Sequence, residues 1–181
     1  MGIDYWEGRG FDKEEAEFFD IRLDQESYRI IIPVKDIDGV NKFYIGRGIS
    51  EFVKPKYLLS EGSKKSNYVY NIHNAKNFET VFLFEGPLDV ISGGKDCIAI
   101  LGKDLGDGQL NQLRQTNIKK IFIGLDTDAL KRDIMKIKEK MRMYFDFEVI
   151  NFPEKGDLND MRIKFGKKGV RIFLENLKMK P

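Results

Sequence analysis

The sequence predicts an α/β protein: a parallel sheet flanked by helices over residues 79–181, preceded by a small α+β part over residues 1–78. Three observations predict it. Short apolar runs alternate with helically spaced segments from residue 80 onward, as strand–helix–strand units do. Two of those runs, TVFLFEG (80–86) and KKIFIGLD (119–126), end in glycine and an acid, as buried parallel strands do. The first 78 residues instead hold a hairpin pattern followed by a polar stretch without period.

In chain order, FDKEEAEFFD (11–20) has the spacing of a short amphipathic helix with an acidic outer face. YRIIIPV (28–34) and KFYIGRG (42–48) read as two strands joined through the turn DIDG (36–39), since Asp-Gly between apolar runs marks a hairpin. VKPKYLLSEGSKKSN (53–67), rich in Lys and Ser, reads as loop, and NIHNAKN (71–77) as one or two turns of helix. AIL (99–101) and FEVINF (147–152) add two strands to the pair above. GDGQLNQLRQTN (106–117), ALKRDIMKIKEKMRMYF (129–145) and FGKKGVRIFLENLK (165–178) are helical by spacing.

Composition narrows the class. Of 181 residues, 41% are hydrophobic and 33% charged, the balance of a soluble globular chain. No apolar run approaches the roughly 20 residues that cross a bilayer, and the start, MGIDYWEGRG, has no signal-peptide core. Cys97 is the only cysteine, which excludes an internal disulfide or a cysteine-based zinc ribbon within these residues; flanked by apolar neighbours, it reads as a reduced core thiol. A cytoplasmic protein is expected. The net charge of +2 conceals an asymmetry: residues 1–26 carry three basic and nine acidic side chains, residues 27–78 nine basic and four acidic. The basic middle segment is the expected contact with a polyanion.

The acids fall at telling places. Glu85 follows the apolar run VFLF, with Asp89 four residues later on the next helix; Asp126 ends IFIGL, with Asp128 two residues on; Asp157, Asn159 and Asp160 follow the fourth strand. All lie at the carboxyl ends of strands, the edge where open parallel sheets build sites. Gathered carboxylates repel one another and raise each other's pKa values unless a cation sits among them. An all-oxygen ligand set suits magnesium or manganese rather than zinc, and points to metal-assisted phosphoryl or nucleotidyl transfer.

These residues carry a resemblance. FEGPLDVIS (84–92) resembles the Glu-Gly-x-x-Asp-x-x-Ser signature of the Toprim domain, GLDTDALKRD (124–133) its Asp-x-Asp block, and PEKGDLND (153–160) its third acidic block. Toprim domains occur in DnaG-type primases, phage primase–helicases, topoisomerases, recombination mediators and some nucleases. RIIIPVKDIDGVNKFYIGR (29–47), PKYLLSEGSKKSNYVYNIHNAK (55–76) and GRGFDKEEAEFF (8–19) resemble the half that precedes the Toprim domain in primases, not in the other relatives. The resemblance implies a primase catalytic core that makes short RNA primers on single-stranded DNA from nucleoside triphosphates. It implies metal ligation by Asp126 and Asp128, with Asp157 as a third acid, Glu85 as metal ligand or general acid/base, and Asp89 in support. Arg29, Arg47, Lys56 and Lys65 match basic positions of a template and nucleotide groove. Tyr57 and Tyr70 are open to base stacking or core packing. Leu130 and Lys131 depart from the small residue and glycine that usually continue the Asp-x-Asp block. With no zinc-binding module or helicase part in these residues, a zinc module and a replicative helicase are expected in trans, as in a phage or mobile-element protein with split functions. The rival readings are a Toprim nuclease and a non-catalytic nucleic-acid-binding module.

Overall fold

Alternation along each apolar run decides the architecture. In the computed structural model, which describes residues 2–125, 131–153 and 156–179, β5 (Thr80–Phe84), β6 (Cys97–Ala99), β7 (Lys120–Gly124) and β8 (Asp146–Val149) form a parallel sheet in the order β6-β5-β7-β8. Val81, Leu83, Ile98, Ile121 and Ile123 point to one face, and Phe82, Phe84, Cys97, Ala99 and Phe122 to the other. Both faces are therefore apolar and both are covered, as a parallel sheet requires. On the first face pack α5 (Asp107–Leu113) and α6 (Lys131–Met141), contributing Leu113, Ile137 and Met141. On the second pack α4 (Pro87–Gly93) and α7 (Leu158–Lys178), contributing Val90, Ile91, Leu158, Val170 and Leu174.

The N-terminal part forms a separate antiparallel sheet, β1-β2-β3-β4, from β1 (Arg22–Asp24), β2 (Arg29–Lys35), β3 (Asn41–Gly48) and β4 (Tyr57–Leu59). The predicted hairpin is present: Asp36 accepts hydrogen bonds from the backbone N–H groups of Asp38 and Val40, and Gly39 takes φ +84°. Pro33 is tolerated in β2 because β1 reaches only to Ile31, leaving β2 an edge strand at the proline. Helices α1 (Gly2–Gly8) and α2 (Lys13–Phe18) precede the sheet, α2 opened by a capping box between Asp12 and Glu15.

The two parts share one core. Trp6, Phe11, Phe19, Ile32, Val34 and Phe43 belong to the same cluster as Phe82, Phe84 and Leu174. Short α3 (Ile72–Ala75), on the N-terminal side of the boundary expected at 78, puts Ile72 and Ala75 with the core on the far face of the parallel sheet. The chain ends are clamped as well: Arg162 of α7 meets buried Glu15 through two contacts of 3.0 and 2.8 Å and donates to the Gly10 carbonyl.

Three expectations are corrected. The stretch 53–67 is not all loop but contains β4 and a 3-10 turn at Lys65–Asn67; all three β4 side chains are exposed, so no burial period marked it. The last helix begins at Leu158, capped by Asp157, and is broken at Gly166 (φ +70°), so the segment expected from 165 is its second half. Helix α1 and the three-residue β1 were unanticipated. No described helix is long and apolar enough to cross a membrane.

Candidate active site

Where β5 ends, the chain turns through Glu85 and Gly86 into α4, whose first helical residue is Pro87, a position that needs no N–H donor. This places Glu85 at the carboxyl rim of the sheet and Asp89 inside the first turn of α4. Asp89 is buried (6% exposed) and accepts a hydrogen bond from the Asn159 backbone N–H at 3.3 Å. Glu85 is partly buried, yet among the described residues its Oε2 is enclosed without a hydrogen-bond partner. An oxygen left so costs stability unless something cationic or protic meets it. At α7, Asp157 caps the helix by accepting from the Asp160 N–H at 2.8 Å, while the Asp160 carboxylate accepts from the Asp157 N–H at 3.3 Å.

These acids form one side of a cleft of about 530 Å³ whose other side is basic. Glu85, Asp89, Asp157 and Asp160 line it together with Arg9, Arg47, Lys56 and Lys65. All four cations come from residues 1–78 and all four acids from 79–181, so the cleft runs along the seam between the two parts. Arg47 is 5% exposed, donates through Nε to the Tyr5 hydroxyl at 3.2 Å and lies 4.5 Å over the Tyr57 ring. Arg9 is aimed by Asn159, whose side-chain oxygen accepts from it at 2.6 Å. The nearby Arg47 charge, then desolvation and Arg9, hold the Lys56 ammonium below its ordinary pKa, with Asp157 opposing. A bound anion would relieve that crowding. Lys65 is placed through its backbone: fully buried Gln109 reaches the carbonyls of Lys65, Tyr68 and Ile100 through Nε2, at 3.0, 3.0 and 2.7 Å.

Most of the expected residues converge. Glu85, Asp89, Asp157, Arg47, Lys56 and Lys65 line the one cleft. Arg29 is not brought there: it is 5% exposed and donates to the Gly46 carbonyl at 3.1 Å, a brace within the sheet. Asp126, Asp128 and Leu130 lie outside the described residues, as does the Lys131 side chain; the strand before them, β7, sets Gly124 opposite Phe84, one residue before Glu85. Tyr57 lines the cleft, whereas Tyr70 is buried at 2% exposure and stacks on Phe19, which decides it for the core. Two residues carry roles that the sequence does not announce: Arg9, quoted only within an Arg-Gly motif, and Asn159, placed at the rim with Asp157 and Asp160, which orients Arg9 from 150 residues away and donates to the Ser92 hydroxyl at 3.0 Å. Among the described residues no three acids, histidines or cysteines are arranged to hold a metal ion.

Residues 82–162 match the protein family described as Toprim-like. These residues form a Toprim-like domain. The chain is 32% identical over 161 residues to DNA primase of Aquifex aeolicus, covering 82% of this chain and 32% of that relative. To DNA primase of Clostridium acetobutylicum it is 31% identical over 163 residues, covering 82% and 26%. The chain thus spans about a third or less of the length of these relatives. Its fold is that of a primase catalytic core. It superposes on the zinc-binding and RNA polymerase domains of Aquifex aeolicus primase with a TM-score of 0.79 at 23% identity, over 96% of this chain and 55% of that one. A DnaG primase catalytic domain solved bound to single-stranded DNA gives 0.77 at 18%, over 96% and 70%.

Proposed function

We propose that this chain is the catalytic core of a primase, a DNA-directed RNA polymerase that builds short RNA primers on single-stranded DNA. The observation that carries the reading is the cleft itself, a basic wall from one half of the chain facing an acidic rim from the other. Template phosphates and the triphosphate of an incoming nucleotide suit the wall of Arg9, Arg47, Lys56 and Lys65, which would make binding steeply salt-dependent. The reaction is attack by the primer's 3′-oxygen on the α-phosphate, with pyrophosphate leaving. The wall would hold the triphosphate in line, and positioning and charge neutralisation supply most of the acceleration.

A divalent cation fits the rim in kind: Glu85 offers an enclosed oxygen without a partner among the described residues, next to further carboxylates. Glu85, Asp126 and Asp128 are the residues proposed to hold it, magnesium or manganese by their all-oxygen character, and when bound it would neutralise phosphate charge. Asp157 is engaged as a helix cap and Asp89 by the Asn159 N–H, so both are assigned mainly to holding the rim in shape. A zinc-binding module and a replicative helicase, expected in trans, belong to the same proposal; one relative's structure includes zinc-binding and polymerase domains together.

The test is a single incubation of the chain with single-stranded DNA, ribonucleoside triphosphates and magnesium or manganese, alone and with a zinc-binding module added. New oligoribonucleotides over an intact template are expected, and their loss in Asp126→Ala and Asp128→Ala. Template degradation without synthesis would replace this reading with a nuclease; no product in either arm would favour a binding module.

A further inference from the structure

Phe52 stands out on the surface. It sits in the 49–56 connection between β3 and β4 and is 94% exposed, more than any other described large hydrophobic side chain. Leaving a phenyl ring in water forgoes the free energy of burying it. The connection is not a loose tail. The Gly48 N–H donates to the Lys56 carbonyl at 2.9 Å, the Ile49 N–H to the Tyr28 carbonyl at 3.1 Å, and the Val53 N–H back to the Ser50 carbonyl at 3.3 Å. Val53 packs so closely on Gly48 that a Cβ there would stand 2.9 Å from the valine Cβ. A tied loop thus holds up an aromatic ring that the fold itself does not use.

The root of this loop is the cleft wall. Arg47 pairs across the strands with Tyr57, one step inside the Gly48–Lys56 hydrogen bond, and Arg47, Lys56 and Tyr57 all line the cleft. Going outward along the chain from Tyr57, which Arg47 covers, Lys56 and exposed Lys54 lead to Phe52. Against these cations the loop sets one acid, Glu51.

We propose that Phe52 is a stacking platform for one base of single-stranded nucleic acid where the strand passes the mouth of the cleft, with Lys54 and Lys56 taking the adjoining phosphates. The inference rests on the polyanion reading of the cleft and adds to it a sequence-tolerant aromatic contact. A single strand is the occupant that fits, because its bases offer free π-faces beside a charged backbone, whereas duplex bases are already stacked.

The test measures the affinity of the chain for a labelled thymidine oligomer as a function of salt. Phe52→Ala, at so exposed a position, leaves the fold intact; it is expected to weaken binding about 5- to 100-fold, the worth of one stacked base, without changing the slope of log Kd against log salt. Lys54→Ala and Lys56→Ala are expected to flatten that slope. In Phe52→Trp the new indole is expected to be quenched by the oligomer, in contrast to the wild type, whose only tryptophan, Trp6, is buried. If the wild type binds the oligomer while Phe52→Ala binds equally well and the indole stays unquenched, the inference is overturned and the function above stands. An equal loss for duplex DNA would also overturn it, since no base face would then be read. A wild type that binds no single strand would remove both.

Discussion

At the scale of single residues, the sharpest contrasts lie between charged side chains that look alike in sequence. Arg29 and Arg47 both occupy β-strands beside glycine, Arg29 paired with Gly48 and Arg47 between Gly46 and Gly48 in sequence, and both are 5% exposed. Arg29 spends its guanidinium on the Gly46 carbonyl, while Arg47 is held by Tyr5 and turned to the cleft. The partners are distant in sequence, on β3 for Arg29 and on α1 for Arg47, which is why the sequence reading put both in the groove. Arg29→Ala is therefore expected to lower stability in chemical denaturation by about 1–3 kcal/mol, the cost of leaving a buried carbonyl unpaired, with DNA affinity little changed. Arg47→Ala should do the reverse for DNA affinity. His73 gives a pH signature. Burial, then the positive charges of Lys35 and Lys76, push its pKa down to about 4 against the opposing Asp36, and its Nδ1 has no partner among the described residues. The unfolded chain therefore takes up a proton near pH 6.5 that the folded chain refuses until about 4. Stability should fall as pH drops through that window, and His73→Gln should remove this part of the slope in unfolding titrations.

At the scale of elements, the termini of strands and helices carry the site. The apolar run before Glu85 and the acids after it made β5 and its rim legible in sequence, because a buried parallel strand announces itself by length and apolarity. β4 was illegible because its three side chains are all exposed and give no burial period, and it is set by backbone pairing with β3 and by the Arg47–Tyr57 contact. The start of α7 was legible only in hindsight: Asp157 and Asp160 spell a capping box, but an acid after a strand had been assigned to metal chemistry. The two roles separate experimentally. Asp157→Ala should cost about 1 kcal/mol of stability through the lost cap, and Asp157→Asn, which still caps, should restore it. If primer synthesis recovers with Asp157→Asn as well, the side chain acts by shaping the rim; if only stability recovers, its charge is needed.

At the scale of the whole molecule, α2 and α7 close on each other so that the two walls of the cleft meet. The Arg162–Glu15 pair is buried on both sides, at 2% and 9% side-chain exposure, and links α7 to α2. Arg162→Met removes the buried partner of the Glu15 carboxylate, leaving it Lys167 and the Asp12 N–H, and is expected to cost about 3 kcal/mol in denaturant unfolding, with DNA affinity lowered as the seam loosens. That closure was outside the reach of sequence reading. The two parts were separated at residue 78 on texture, while their shared core depends on contacts across that boundary, such as the Tyr70–Ala99 bridge and Phe11 with Arg162.

The central claim is that an acidic rim performs chemistry on a strand that the basic wall holds. Its most direct test is primer synthesis by Glu85→Gln, measured beside affinity for single-stranded DNA. Synthesis is expected to fall by about a hundredfold or more, with affinity within a factor of about two of wild type, since the substitution removes charge at the reacting end and none from the wall. Synthesis at the wild-type rate in that variant would contradict it.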